Sequence, residues 1–402
     1  MSETAANSGR PEPLPANVSE RALPGNREIE SLRPARNRVD ASRPYHYLHE
    51  REAGPFGVET VNTLFLTGRE CAFKCLMCDL WKNTLEGPTP PGAIVRQIDY
   101  ALARLPAADS IKLYNSSNFF DPRAVPVQDY PAILERLRGY KRVIVENHPK
   151  LVGDACLRFR DGLHEDRRDR LHDGLHAGPG STLEIAMGLE TIHPVALPGM
   201  NKQLTPEDFR RAATFLNSHN IRVRAFVLLN PPYITDPREG IRWAVETVRF
   251  AFESGAQCCS IIATRPGNGI MEALQAAGDY VPPTLEALEE VFGTSLTLAQ
   301  EYASPRYVPP SHATVRYAPP SHAAVRHATP GHATVCHATP GRAAAPTIDH
   351  HAVRRLVFVD TWDIGFLSSC PQCFAARKGR LDAMNLTQTI HQPIACSCHA
   401  ST

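Results

Sequence analysis

From residue 61 onward, short β-branched or apolar runs alternate with longer stretches whose apolar residues recur every three or four positions. The short runs at 61–67, 110–115, 142–147, 183–188, 222–229 and 258–263 predict strands. The longer stretches at 92–105, 127–139, 151–162, 206–220, 237–254, 270–277 and 283–300 predict amphipathic helices. Pro206 and Pro283 fall in first helical turns, where a missing N–H costs little, and Thr205 is placed to cap the helix that begins at Pro206. Six strand–helix units predict a parallel sheet, because parallel neighbours need a crossover helix. The expected fold class is α/β, a partial (β/α)6 TIM-type barrel with a small C-terminal Cys-rich extension. In such barrels the working site lies at the carboxyl ends of the strands.

Two segments interrupt the pattern. Asp161-Gly162-Leu163-His164 recurs as Asp173-Gly174-Leu175-His176 around an Arg/Asp-rich run and predicts a solvated excursion. A ten-residue repeat follows at 307–316, 317–326, 327–336 and 337–346, each copy rich in proline, histidine and small residues. Ten residues are too few for a solenoid unit, so an extended, disordered insert is expected. A strand at 355–360 then returns to the sheet. The chain is read as a flexible leader (1–57), a core domain (58–302), the repeat insert (303–347), and a returning strand with a Cys-rich segment (348–402).

Composition narrows the function classes. At 402 residues and 43% hydrophobic content the chain can bury a barrel-sized core. A net charge of +1 supplies no global field to attract polyanions, so charge does not support RNA binding. No run approaches the roughly 18 apolar residues of a membrane span. Eleven cysteines with no export signal in view point to metal ligation in a reducing cytoplasm rather than to a disulfide scaffold.

Three of those cysteines, Cys71, Cys75 and Cys78, lie in one polar-flanked loop directly after the first predicted strand. Spacings of four and three residues let a short loop offer three thiolates to three corners of a 4Fe-4S cubane, leaving one iron open to chelate a small molecule. Zinc or a fully ligated ferredoxin cluster would want a fourth nearby ligand, and none follows at ferredoxin spacing. The bland alternative is three incidental core thiols. The other predicted strands end in polar residues. Asn115, Ser116, Ser117 and Asn118 follow the second, and their amide and hydroxyl oxygens can accept from an ammonium or simply make a turn. Glu146 ends the third and Glu190 follows the fourth, each suited to a ligand's hydroxyls or ammonium or to a structural ion pair. Gly188 before Glu190 leaves room for close approach. Arg265, Gly267 and Gly269 follow the sixth, offering a carboxylate fork and a Gly-rich turn. Phe119, Phe120 and Tyr233 are candidates to line the mouth. At the far end Cys370, Cys373, Cys396 and Cys398 form a CxxC and CxC pair, suited equally to zinc or to a second iron–sulfur cluster.

The CxxxCxxC loop after the first strand resembles the radical S-adenosylmethionine (SAM) superfamily, with Met77 where that family usually has an aromatic residue. The resemblance implies a 4Fe-4S cluster on Cys71, Cys75 and Cys78, and SAM bound through its amino and carboxylate groups to the open iron. It further implies reductive cleavage to a 5′-deoxyadenosyl radical and hydrogen abstraction from a substrate. Runs 118–122, 145–149 and 188–191 make the chain most similar to the elongator-like branch, in the subgroup that includes the archaeosine-synthase-associated radical enzyme. That implies SAM contacts from Asn115, Ser116, Ser117, Asn118, Glu146, Glu190, Arg265, Gly267 and Gly269, and an electron donor such as flavodoxin or ferredoxin. It also keeps an RNA base among the candidate substrates. The competing class is a metal-stabilised binding or redox-sensing iron–sulfur protein that consumes no SAM.

Overall fold

The computed structural model describes residues 23–172, 181–303 and 354–395, apart from the side chains of 165–172. The ten-residue repeats, the second Asp-Gly-Leu-His run, Cys396 and Cys398 lie outside them. The described residues form helix α1 (Asn26–Ser31), strands β1 (His46–Gly54) and β2 (Gly57–Phe65), then α2 (Ala93–Leu102), β3 (Ser110–Tyr114), α3 (Tyr130–Leu137) and β4 (Arg142–Glu146). There follow α4 (Asp154–His172), β5 (Thr182–Glu190), α5 (Ala196–Gly199), α6 (Pro206–Ser218), β6 (Arg222–Leu229), α7 (Pro237–Glu253) and β7 (Cys258–Ala263). The last elements are α8 (Ile270–Ala277), α9 (Leu285–Ala303), β8 (Leu356–Val359) and α10 (Pro371–Thr387).

All eight strands form one sheet in chain order. β2 to β8 run parallel, and β1 pairs antiparallel with β2 through a tight turn at Gly54 and Gly57. The sheet curls into a nearly closed barrel, as the strand–helix alternation predicts. Thr205 does cap α6: its hydroxyl accepts from the Asp208 N–H (3.2 Å), and Asp208 Oδ2 accepts the Thr205 N–H (2.9 Å). On the open edge of β8, the Asn385 and Gln388 side-chain amides bond the backbone N–H and C=O of Val359 and Val357 at 2.7–2.9 Å. One side chain of α10 and that of its C-cap Gln388 thus stand in for a missing neighbour and block edge-to-edge pairing.

The alternate residues of each strand divide the labour. Leu64, Ile111, Leu113, Val143, Val145, Ile185, Val223, Val227 and Ile261 face outward and form the apolar layer beneath the helices. The inward set is polar at the amino end and middle of the barrel. Glu184 bonds Arg142 (3.1 Å) and Arg224 (2.8 Å), Glu52 bonds Arg224 (2.7 Å) and Lys112, and Glu59 bonds Arg142 (2.9 Å). Burial raises the Glu52 carboxyl, but Arg224, Lys112 and Arg142 outweigh burial and hold it at about 2. The same competition, won by Arg224, Arg142 and Arg222, keeps Glu184 well below the usual carboxylate range. Above this lattice come inward aromatic rings, Phe65, Tyr114 and Phe226, in edge-on contact.

This lattice explains one correction. The flexible leader expected over 1–57 does not hold over its described part: α1 and β1 fall inside it, and β1 is a full edge strand. Its sequence reads as polar because Glu50 and Glu52 point at Lys112 and Arg224 instead of at apolar neighbours. A second correction concerns Phe119 and Phe120. Both are buried against Phe159 in the layer under the helices, with Phe119 also stacked on Tyr130, so they do not line the mouth. The expected excursion at Asp161 is instead a continuation of α4.

Candidate functional site at the carboxyl mouth

The loop after β2 carries Cys71, Cys75 and Cys78, and neighbouring segments fix its backbone on every side. The Leu76 N–H donates to Met200 O (2.9 Å), and Asn201 Nδ2 donates to Lys74 O (2.8 Å), bracketing Cys75. Asn268 Nδ2 donates to Leu76 O (2.7 Å) and Cys78 O (3.2 Å), so the turn after β7 closes the other flank. Gly269 in that turn has φ +91°, and a β-carbon there would stand 1.8 Å from Leu32 O. Only glycine meets both demands. Gly267, at φ +120°, and Gly269 donate their N–H groups to Glu272 (2.6 and 2.7 Å), while Arg265 lies 3.5 Å from Asp79.

The amino-terminal segment straps the same loop. Ile29 packs with Leu76, Ile270, Met271 and Tyr280, and Met77 and Tyr233 lie against that cluster. Glu70, next to Cys71, is gripped by Arg33 (2.8 Å), Arg36 and Lys74. Burial raises the Glu70 carboxyl, yet Lys74, Arg33 and Arg36 bring it down to about 2.

The three thiols are close enough to feel one another electrostatically. Burial pushes Cys75 up to about 11, and Cys71 and Cys78 also rise through burial; Cys71 and Glu190 push Cys75 further, and Cys75 and Asp79 push Cys78. Such thiols ionise together only when a cation sits among them, which is what metal ligation supplies. Among the described residues no group of three or more His, Cys, Asp or Glu side chains converges on a single ion. Thiols that grip separate corners of a cluster need no such convergence.

Around the loop stand the other sequence-predicted residues. Asn118 Nδ2 donates to Cys71 Sγ (3.1 Å), and its Oδ1 accepts from the His148 N–H (2.7 Å). Glu146 is half-buried, with no cation bonded to it among the described residues. Its carboxylate accepts the Asn115 N–H (2.5 Å) and those of Ser116 and Ser117, a nest of successive amides made possible by Ser116 at φ +53°. Burial raises Glu146 to about 7 even against those three donors. Both polar atoms of the Asn115 side chain and the Ser117 hydroxyl are buried with no hydrogen-bond partner among the described residues. Thr67 Oγ1, Asn230 Oδ1 and Thr264 Oγ1, at three further strand ends, are likewise unpartnered.

Glu190, at φ +65° beyond a register shift in β5, pairs with Lys202 (Oε1–Nζ 2.8 Å), and both are buried. The pair lies over Gly188, whose β-carbon would fall 2.1 Å from Glu190 Oε1 and 2.5 Å from Lys202 Nζ. The room that Gly188 leaves is therefore used by this ion pair. His148 stacks on Phe73 of the cysteine loop (3.8 Å, 12°), its Nδ1 accepts from the Lys150 N–H (3.2 Å), and its Nε2 faces Lys202 O (3.2 Å). Burial and Lys202 lower it to about 3, so it is neutral with the proton on Nε2.

Sequence reading missed Lys202, Asn201, Asn268, Glu70 and the strap arginines. Lys202 and Asn201 lie in an irregular segment after α5 with no motif, and Arg33 and Arg36 sat in the presumed leader. Cys370 and Cys373 fall at the start of α10, as the amino-terminal cap and in the first turn. Cys396 and Cys398 are outside the described residues, and the expected second site falls partly there. No helix among the described residues is long and apolar enough to cross a membrane.

Fit to the implied cofactors can be judged on these observations. Three thiols in one loop, Cys75 buried and Cys71 and Cys78 half-buried, a half-buried carboxyl bonded to no cation, and an orphaned amide and hydroxyl in the segment whose Asn118 bonds Cys71 suit a metal cluster carrying a zwitterionic ligand.

No family model matches the chain. It is 24% identical over 251 residues to an uncharacterized protein of Methanocaldococcus jannaschii, covering 59% of the chain and 64% of the relative. It is 24% identical over 231 residues to archaeosine synthase subunit beta of Methanosarcina acetivorans, covering 54% of the chain and 60% of the relative. To the protein of that name from Thermococcus kodakarensis it is 25% identical over 225 residues, 54% of the chain and 64% of the relative. The chain thus spans less than two thirds of the length of these curated relatives. Among solved structures it is similar to Streptococcus suis SuiB bound to S-adenosylmethionine (TM-score 0.39, 11% identity, 60% of this chain and 49% of that one). It is also similar to the radical S-adenosylmethionine methyltransferase TsrM from Kitasatospora setae, with cobalamin and a [4Fe-4S] cluster bound (TM-score 0.29, 14% identity, 50% and 36%). The relatives named archaeosine synthase subunit beta are in line with the subgroup likeness expected from the sequence.

Proposed function

We propose that the chain is a radical SAM enzyme. In this reading Cys71, Cys75 and Cys78 hold a 4Fe-4S cluster, and SAM sits between it and the strand ends. The cluster, when bound, supplies one electron at low potential to the SAM sulfonium. The chain's own residues bind and orient. Asn115, Ser117 and Glu146 receive the amino acid group of SAM, Asn118 steadies Cys71, and the 267–269 turn backs the ligand with main-chain groups. The aromatic rings of Phe65, Tyr114 and Phe226 keep water from below. The observation that carries this reading is the orphaned, buried Asn115 amide and Ser117 hydroxyl beside the three thiols, since buried polar groups are otherwise partnered.

Relatives named archaeosine synthase subunit beta keep an RNA base among the candidate substrates. A flavodoxin- or ferredoxin-like donor and a cytoplasmic setting complete the proposal, with Cys370, Cys373, Cys396 and Cys398 as a second site for zinc or an auxiliary cluster. Anaerobic reconstitution with iron and sulfide, then SAM and dithionite, should yield 5′-deoxyadenosine. Cys75→Ala should lower that yield to the background of SAM and dithionite alone. A variant that keeps the activity overturns the reading, and absence of SAM binding by calorimetry to the reconstituted protein favours the sensor alternative.

A further inference from the structure

We infer that Lys202 is a fixed buried cation that raises the reduction potential of a cluster held by Cys71, Cys75 and Cys78, and that Glu190 sets how much of its charge is felt. This rests on the reading above. Three observations lead to it. Residues 200 and 201 hydrogen-bond the backbone on either side of Cys75, at 2.9 and 2.8 Å, so Lys202 is anchored to the loop one residue further on. Its own carbonyl is held by His148 Nε2 (3.2 Å), and His148 is tied through Asn118 to Cys71 Sγ. Its ammonium is buried over Gly188, with Glu190 at 2.8 Å as its bonded counter-charge.

The sign follows from charge. Three thiolates on an oxidised cubane core of charge 2+ leave the assembly at −1, and one electron takes it to −2. A fixed cation beside the thiolates stabilises the reduced form more, and a nearby carboxylate stabilises it less. In low dielectric such a charge is only weakly screened. A purely structural ion pair would give no such signed effect: removing either partner would disturb the fold without moving the potential in opposite directions.

The test is an anaerobic redox titration without SAM, with dithionite as the one-electron donor and the reduced cluster read by electron paramagnetic resonance. At a fixed applied potential, Lys202→Met should lower the ratio of reduced to oxidised cluster about tenfold, a downward shift of about 59 mV for one electron. Glu190→Gln, which keeps the lysine, should shift the potential upward, and the double variant should fall between the two. Should Lys202→Met fail to hold a cluster, Glu190→Gln decides alone. An unchanged or lowered potential in Glu190→Gln, or shifts of the same sign in both variants, overturns the inference. A wild-type chain that assembles a cluster while the variants leave its potential unmoved leaves the proposed function standing. A wild-type chain that assembles none removes that reading, and this inference with it.

Discussion

Inside one barrel, Glu184 and Asn115 are both fully buried, and their surroundings could hardly differ more. Glu184, toward the amino end, meets Arg142, Arg222 and Arg224, and those arginines reach on to Glu52 and Glu59. Asn115, at the carboxyl end, finds no partner among the described residues for either side-chain atom, and the hydroxyls of Ser117, Thr67 and Thr264 and the Asn230 Oδ1 are likewise unmet. Around the mouth Ser116, Glu190, Asn230 and Tyr233 adopt positive φ without being glycine, although Asn220 just before β6 does so at the amino end as well. The amino end satisfies its charges and holds the barrel together. The carboxyl end carries strain and unmet polarity, which a structure tolerates where a ligand will make use of them. Pairing is not perfect even in the lattice, since one Arg222 amino group is without a partner. The contrast survives that exception because each carboxylate there has at least one guanidinium or ammonium within bonding distance.

The sharpest way to break this comparison is Glu184→Ala. Removing the carboxylate leaves Arg142 and Arg224 buried with too little counter-charge, so stability should fall by about 3–5 kcal/mol. Urea denaturation followed by circular dichroism checks it. A loss below about 1 kcal/mol would mean that the lattice is not what holds this end of the barrel.

The two ends should also answer pH with opposite slopes. Glu52 is held at about 2, below its unfolded value near 4.3, so its contribution is present above that value and is lost as pH falls toward 2. Glu146 is raised to about 7, so its contribution is present below pH 4.3 and is lost as pH rises through 7. Each swing is of order 3 kcal/mol. Urea midpoints of the metal-free protein between pH 3 and 8 should therefore rise and then fall. Glu146→Gln should flatten the fall and spare the rise. Retention of the neutral-pH fall in that variant would detach it from Glu146.

Much of this contrast was open to sequence reading at one end only. The carboxyl-end residues follow recognisable strand patterns, so Cys71, Asn115, Glu146 and Glu190 could be placed at the mouth before any coordinates. The thiol spacing also pointed to the cluster chemistry proposed above. The lattice was hidden because inward charges spoil the apolar signature of a strand. His46–Gly54 reads as a polar leader, since its partners Lys112 and Arg224 lie 60 and 172 residues away. Lys202 escaped for a related reason: its position depends on a loop gripping Lys74 and Leu76, a long-range fit that no local periodicity records.

The finest test of the comparison is Asn115→Ala, where the effect on stability should be the smallest and the effect on binding large. The amide already lacks partners, so its removal forfeits no hydrogen bond and relieves a desolvation cost of about 1–3 kcal/mol. The cavity left by three deleted heavy atoms works the other way, by a comparable amount for a buried site. The two nearly cancel, and stability should stay within about 1 kcal/mol of wild type, or rise. If the amide is waiting for the amino acid group of SAM, the same substitution should weaken SAM binding by roughly tenfold, the worth of one charge-assisted hydrogen bond. Calorimetry on the reconstituted protein, set beside urea denaturation of the same preparation, separates the two effects. A large stability loss with unchanged SAM affinity would move Asn115 from the mouth's side of the comparison to the lattice's, as a residue whose partner is structural water and not a ligand.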